Sequence, residues 1–247
     1  MIRTLKLVGV IFIVLSCNGK YEKSVTILGN KTTYYSSGEK QQEGKMVDDL
    51  KQGTWIAYHK NGNKMSKGEF KNGKRNGMWT FWFENGNVRA ISNWKEDLQN
   101  GKFEEWYENN QKKSESEWVN DLQNGAIKFW CENGQIKTVG NRIMGKLDGN
   151  CEHYFCNGNK NLEIYYKNDK PIGDYKIWHE NGQISEIGNR NENGFNGEIK
   201  SFNNIGSIEF KAFYKNGKKE GTWFFYDSIG EIKKTEFYKN NKLVDSK

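Results

Sequence analysis

Three histidines and three cysteines in the body of the chain are the residues whose types could do chemistry. Cys151-x-His153-x-x-Cys156, with Cys131 as a fourth donor, has the composition of a zinc site, because thiolate and imidazole are the ligands a tetrahedral zinc takes. Side chains alternate along a strand, so Cys151 and His153 share a face while Cys156 points away unless a turn begins early, and no metal centre is expected. A disulfide is not expected either. Five residues of extended strand hold Cys151 and Cys156 roughly 16 Å apart, beyond the ~7 Å limit for a bridge. Cys131 would have to reach a strand two places away in the sheet, unless a bend intervenes. His59 and His179 occupy equivalent places that are filled elsewhere by Tyr35, Phe83, Tyr107, Cys131, Phe155, Asn203 and Asp227. A place that varies so freely reads as surface or edge, so no residue is assigned to catalysis and neither enzyme activity nor a cofactor is expected.

The other candidates are charges and rings. Lys71, Lys74 and Arg75, and again Lys215, Lys218 and Lys219, cluster where the chain reverses, and read as solvated turns that keep a sheet soluble. With 38 Lys and Arg against 31 Asp and Glu the formal charge is +7, patchy rather than striped, so nucleic acid is excluded as a partner and a small molecule is not expected. Rings at Tyr35, Phe83, Tyr107 and Phe155 could offer a stacking platform to a sugar or a protein, although packing against neighbouring rungs is the preferred reading.

These residues are positioned by a repeat. The 247 residues are only 35% hydrophobic, with mean hydropathy −0.94, yet contain 9 Trp, 12 Tyr, 14 Phe and 27 Gly beside a single Pro, a composition for short strands and tight turns. Gly29, Gly53, Gly77, Gly101, Gly125, Gly149, Gly173, Gly197 and Gly221 stand 24 residues apart. Counting from each glycine, position +5 is aromatic in all nine units: Tyr34, Tyr58, Trp82, Trp106, Trp130, Tyr154, Trp178, Phe202 and Tyr226. A second glycine follows at +9 in every unit but one, where Asn110 replaces it, and the preceding Asn suggests a type I′ turn. A later aromatic recurs at Phe70, Trp94, Trp118, Tyr166, Tyr214 and Tyr238, broken by Arg142 and Arg190, and a second turn closes each unit, as at Asn72-Gly73 and Glu96-Asp97. Each unit reads as strand, turn, strand, turn, so residues 29–244 form an all-β, elongated antiparallel array of nine hairpin repeats, roughly 85 Å long at ~4.8 Å per strand. No helix is needed after the leader, and residues 245–247 are a tail. The rings at +2 (Trp55, Trp79, Phe103, Tyr175, Trp223) and +5 differ by an odd number, so either both faces of the sheet are partly covered or a bulge re-aims one ring.

The leader has its own pattern. Arg3 and Lys6 precede the uncharged run Leu7–Leu15, then Ser16 and Cys17, the order of a secretory signal. Val14-Leu15-Ser16-Cys17 resembles the lipobox of bacterial lipoproteins. That resemblance implies cleavage of residues 1–16, a lipid anchor on Cys17, a linker over residues 17–28, and a cell-envelope location outside the cytoplasm. Loss of Arg3 and Lys6 would lower the charge from +7 to +5.

The stretch GTWIAYHKNGNKMSKGEFKNGK is similar to the MORN repeat variant, and in particular to the bacterial YwqK-family antitoxins. The likeness extends over all nine units, with departures at Lys31, Cys151, Ile205 and Ile229. It implies a non-enzymatic scaffold that binds another protein, and in the antitoxin relatives that protein is a toxin. An export signal suits an immunity role against an incoming toxin. The alternative reading is an envelope protein that binds glycan or cell wall through exposed rings.

Overall fold

The structure is a computed structural model that describes residues 28–247, and before them the strands Val10–Ile13 and Lys23–Thr26, which pair antiparallel. Cleavage after Ser16 and lipidation of Cys17 fall outside the described residues. From Leu28 to Ser246 the chain forms twenty-two strands and, among the described residues, no helix, as the repeat pattern requires. The strands belong to two compact units. The first ends at Gln111 and takes in Trp118–Asp121; the second comprises Lys112–Glu117 and Leu122–Lys247. In the first unit Leu28–Tyr34, Lys40–Val47, Leu50–Tyr58, Lys64–Lys71, Lys74–Trp82, Val88–Lys95 and Leu98–Trp106 each pair antiparallel with the next. The second unit repeats the scheme from Leu122–Trp130 to Lys242–Ser246.

The two turns of a repeat differ in kind. In the first, the His59 and Gly62 amides donate to the Asn63 and His59 carbonyls at 2.8 and 3.0 Å, and Asn61 Oδ1 accepts from the Asn63 amide at 3.0 Å. Only Gly62 of this loop has positive φ, +88°, so the Asn-Gly pair does not make the expected type I′ turn. That geometry belongs to the second turn, where Asn72 and Gly73 have φ of 51° and 79°, and Glu96 and Asp97 have 53° and 70°. The repeat glycine has a separate task. Trp55 pairs with Gly44 but Gln52 pairs with Lys45, so Gly53, at φ +66°, and Thr54 form a bulge that a left-handed residue accommodates.

The ladder shifts again between Ala57 and Tyr58, where Met65 is the extra residue on the partner strand. Yet the Tyr58 hydroxyl donates to Glu43, which pairs with Ile56, whereas Trp55 lies on Gly44, so the two rings are on opposite faces and both faces are covered. The +2 side chains form the core, with Trp55, Trp79, Ile127, Cys151, Tyr175, Ile199 and Trp223 all buried. They lie against small residues at +15: Gly44, Gly68, Ser92, Gly140, Gly188 and Ala212. A Cβ on Gly44 would fall inside the Trp55 indole, and one on Gly68 inside that of Trp79. At Cys151 the small residue moves to +2 and Ile164 fills +15 opposite it, an exchange that conserves volume across the pair. The indole N–H of Trp55 donates to the Lys45 carbonyl at 3.0 Å, and that of Trp223 to the Phe213 carbonyl at 3.1 Å, so no polar atom is stranded by burying these rings.

The late aromatics, at +17, complete the same face, each beside a residue at +22 that pairs with it in register. Phe70 sits edge-on between Trp55 and Trp79, its centroid 6.1 and 5.1 Å from theirs. Lys51 lies over Trp55 and Phe70 at 4.1 and 4.9 Å, Arg75 over Trp94 at 3.4 Å, and Lys219 over Trp223 and Tyr238 at 4.2 and 4.6 Å. Arg75 and Lys219 are therefore half-buried parts of the core face, which corrects their reading as solvated turn charges; Lys71, Lys74, Lys215 and Lys218 are exposed as expected. The breaks at Arg142 and Arg190 are exchanges. Arg190 pairs with Phe195, so cation and ring have traded places: Phe195 lies 6.0 Å from Tyr175 and 5.2 Å from Tyr214, with Arg190 over it at 4.0 Å. Arg142 pairs with Leu147, an aliphatic residue in place of a ring.

Candidate functional surface

The face opposite the core carries the +5 rings, half-buried from Tyr58 onward, while Tyr34 in the first repeat is 61% exposed. Between them, in four of the nine repeats, stand lysines at +11: Lys40, Lys64, Lys112 and Lys160. Lys40 pairs with Glu43 at 2.9 Å and lies 5.4 Å from the Tyr58 ring, whose hydroxyl donates to the same Glu43. Five repeats later Lys160 pairs with Glu152 and Glu163, both at 2.8 Å, and lies 5.5 Å from Trp178, while the Tyr154 hydroxyl donates to Glu152 at 2.7 Å. Lys112 repeats the motif with Glu115 at 2.6 Å and Trp130 at 5.6 Å. Hydrogen bonds from Tyr58 and Lys40 hold the Glu43 carboxyl below its ordinary range, and those from Lys160 and Tyr154 do the same for Glu152. The Glu152 and Glu163 carboxylates in turn raise the Lys160 ammonium. The outcome is a stripe of aromatic faces and fixed ion pairs suited to recognition.

The first turns stack from repeat to repeat within each unit. Asn61 Nδ2 donates to the Glu84 carbonyl at 2.8 Å, Asn133 to Cys156 at 2.6 Å and Asn157 to Glu180 at 3.0 Å. His59 Nε2 lies 3.0 Å from the Trp82 carbonyl and His179 Nε2 2.8 Å from that of Phe202, while the Tyr35 hydroxyl donates to Tyr58 at 2.7 Å. The histidine position is thus an inter-repeat bridge rather than free surface. Tyr35, Phe83, Tyr107 and Phe155 are half-buried there, in keeping with packing between rungs.

The same stacking overturns the expectation about cysteine. Cys131 and Cys156 form a disulfide with their Cα atoms 5.8 Å apart. Their strands are two places apart, but both residues sit in first turns, where consecutive repeats lie directly against one another. The strand ends at Tyr154, early enough to carry Cys156 into the turn. Cys156 is therefore lost to any metal site, and among the described residues no group of three or more His, Cys, Asp or Glu could hold a metal. Cys151 is a free, buried thiol 3.6 Å from His153 Nε2, whose Nδ1 lies 3.0 Å from Thr138 Oγ1. Burial pushes the thiol up and the imidazole down, so both groups are held neutral, the reverse of an activated thiolate.

The repeat glycines from Gly53 to Gly221 have left-handed φ while Gly29 lies in regular strand pairing, and the +5 rings lie on the outer face. The small column at +15, which reading the sequence in register at a spacing of 24 displays, was missed, and so were the cations Lys51, Arg75 and Lys219 at +22, which only three repeats carry. Likewise Ile205 and Ile229 replace the Asn of the first turn because Asn203 and Asp227, two residues earlier, take over its bond. Asn203 Oδ1 accepts from the Ile205 and Ser207 amides at 3.1 and 3.0 Å, and Asp227 Oδ1 from Ile229 and Glu231 at 3.0 and 2.9 Å.

No curated protein matches the chain. Among solved structures it is similar to the crystal structure of TcdB2-TccC3 without its hypervariable C-terminal region, at 9% identity and a TM-score of 0.22, over 89% of this chain and 14% of that one. The five hairpins at residues 51–72, 75–96, 99–120, 171–192 and 219–240 match the MORN repeat variant. Each match begins at a +22 residue and ends at the next second turn, so these five hairpins are similar to MORN-variant repeats.

Proposed function

We propose that this protein is a non-enzymatic, lipid-anchored scaffold that binds another protein along the outer face of its hairpin repeats, as an immunity or antitoxin protein would. The observation that carries this reading is the outer stripe, where half-buried rings and oriented ion pairs recur from repeat to repeat. The Cys131–Cys156 bridge suits an oxidising compartment, and so supports export and anchoring through Cys17. The test is a pulldown of the lipidated protein from detergent-solubilised envelopes, with Cys17→Ala as the anchoring control and Trp82→Thr/Trp178→Thr as the stripe variant. A specific protein captured by wild type and released by the stripe variant is expected. Failure to recover any specific protein counts against the scaffold. The same rings could stack on sugars, and saturable sedimentation with cell-wall material, lost in the stripe variant, would replace protein binding with glycan binding.

A further inference from the structure

The first turns of the last three repeats differ from the rest in one direction. Position +8 is Asn in six repeats, Asn61, Asn85, Asn109, Asn133, Asn157 and Asn181, but Ile205 and Ile229 in the last two. Position +11 is Lys40, Lys64, Lys112 or Lys160 in four earlier repeats and Val88 or Ile136 in two, singly between lysines, but Ile184, Ile208 and Ile232 consecutively in the last three. Ile205 and Ile229 are 77% and 78% exposed, more than any other large apolar side chain described, and Ile232 is 53% exposed. Ile184, Ile208 and Ile232 pair in register with the outer-face rings Trp178, Phe202 and Tyr226, so isoleucine and ring alternate along one edge. Turn geometry does not call for the two tip isoleucines: Asn203 and Asp227 already close those loops. A run of exposed isoleucines along one edge, at tip positions where the other repeats carry Asn or Ser, is the mark of a contact surface.

Charge selects the kind of contact. Residues 179–184, 203–208 and 227–232 contain Glu180, Asp227 and Glu231 and no Lys or Arg, in a chain of net charge +7. Exposed Lys233 and Lys234 border only the last loop, and Lys234 is paired with Glu236. The opposite edge of the same unit, at the second turns, exposes Lys167, Lys170, Lys215, Lys218, Lys239 and Lys242. An anionic bilayer would meet the lysine edge and be repelled by the isoleucine edge. We infer that the ridge built from Ile184, Ile205, Ile208, Ile229 and Ile232 is the docking surface for a partner protein whose matching surface is apolar and rimmed by Lys and Arg. This inference rests on the scaffold reading and locates its principal contact.

The test uses the full-length chain in its own cells, with Ile229→p-benzoylphenylalanine as photocrosslinker and Met78→p-benzoylphenylalanine as a control on the outer face of the other unit. The crosslinked protein is identified by mass spectrometry, purified, and titrated against wild type and Ile205→Asn/Ile229→Asn. Asn is the residue of six other repeats at that position, so the variant keeps the fold; Ile184→Lys/Ile232→Lys provides a second variant on the same principle. Expected are a crosslink from position 229 to one protein through an apolar segment flanked by basic residues, and binding at least tenfold weaker in both variants. Crosslinks only to lipid or to a second copy overturn the inference. A partner whose affinity neither variant changes overturns the ridge while leaving the scaffold standing, and absence of any protein partner from both sites overturns both.

Discussion

Replacing both Cys131 and Cys156 by serine tests the stacked-turn geometry most directly. The bridge closes a loop of 25 residues spanning a full repeat. In the chain-entropy treatment a loop of that length restricts the unfolded chain by about 12 cal/mol/K, or about 3.5 kcal/mol at 25 °C. The native state loses little in return, because Asn133 still donates to the Cys156 carbonyl and the strands remain paired on both sides. Urea unfolding of the full chain without reductant, followed by tryptophan fluorescence, should therefore show the second unit destabilised by about 2–3.5 kcal/mol in the double variant, with dithiothreitol doing the same to wild type and nothing to the variant. Non-reducing peptide mapping must first find Cys131 joined to Cys156 and Cys151 free. Cys151 is no competitor, being only 2% exposed with its thiol pushed up by burial. A map that pairs Cys151, or a double variant within about 0.5 kcal/mol of wild type, would refute the claim that consecutive first turns are held together through this bridge.

Gly68→Ala forces a methyl into the Trp79 indole and should cost about 1–3 kcal/mol in the first unit; denaturation within about 0.5 kcal/mol of wild type would mean the ring shifts freely. Arg190→Phe and Phe195→Arg should each cost about 1–2 kcal/mol alone, yet nearly cancel when combined, because the double variant recreates the order of Phe70 and Arg75; additive losses in a double-mutant cycle would sink the exchange. The folded-state carboxyls of Glu43 and Glu152 lie below their ordinary value of 4.5, so their contribution is complete above that pH and is lost as the pH falls below it toward the folded values. Urea titrations from pH 7 to pH 3 should accordingly show less acid destabilisation in a Glu43→Gln/Glu152→Gln variant than in wild type, and parallel curves would contradict the ion-pair geometry.

The hairpin array was legible because its signals are local: a glycine at each bulge, a ring five residues on and a two-residue second turn all fall within one strand or one reversal. The Asn-Gly turn type was misread because dipeptide preference does not fix loop length. The first loop spans five residues, and only Gly62 of its Asn-Gly pair turns left-handed. The disulfide was misjudged for a different reason. Strand order sets the distance between residues in mid-strand, but at the turns consecutive repeats touch, and that contact appears only when the hairpins are placed side by side.

The positions that seemed to break the pattern are those where the pattern is obeyed by a pair rather than a residue. Cys151 is small where its column is large, and Ile164 across the register is large where its column is small. Arg190 is charged where its column is aromatic, and Phe195 opposite supplies the ring. Ile205 and Ile229 lack the side-chain acceptor of their column, and Asn203 and Asp227 provide that oxygen from two residues earlier. In the first two cases the exchange restores the pair found elsewhere on the core face, large against small and a cation over a ring. The third restores only the turn, and leaves two isoleucines in water that neither packing nor backbone geometry asked for. A departure that the fold compensates but does not need is what singles out the first-turn edge of the last repeats, and it is the ground on which the docking proposal stands.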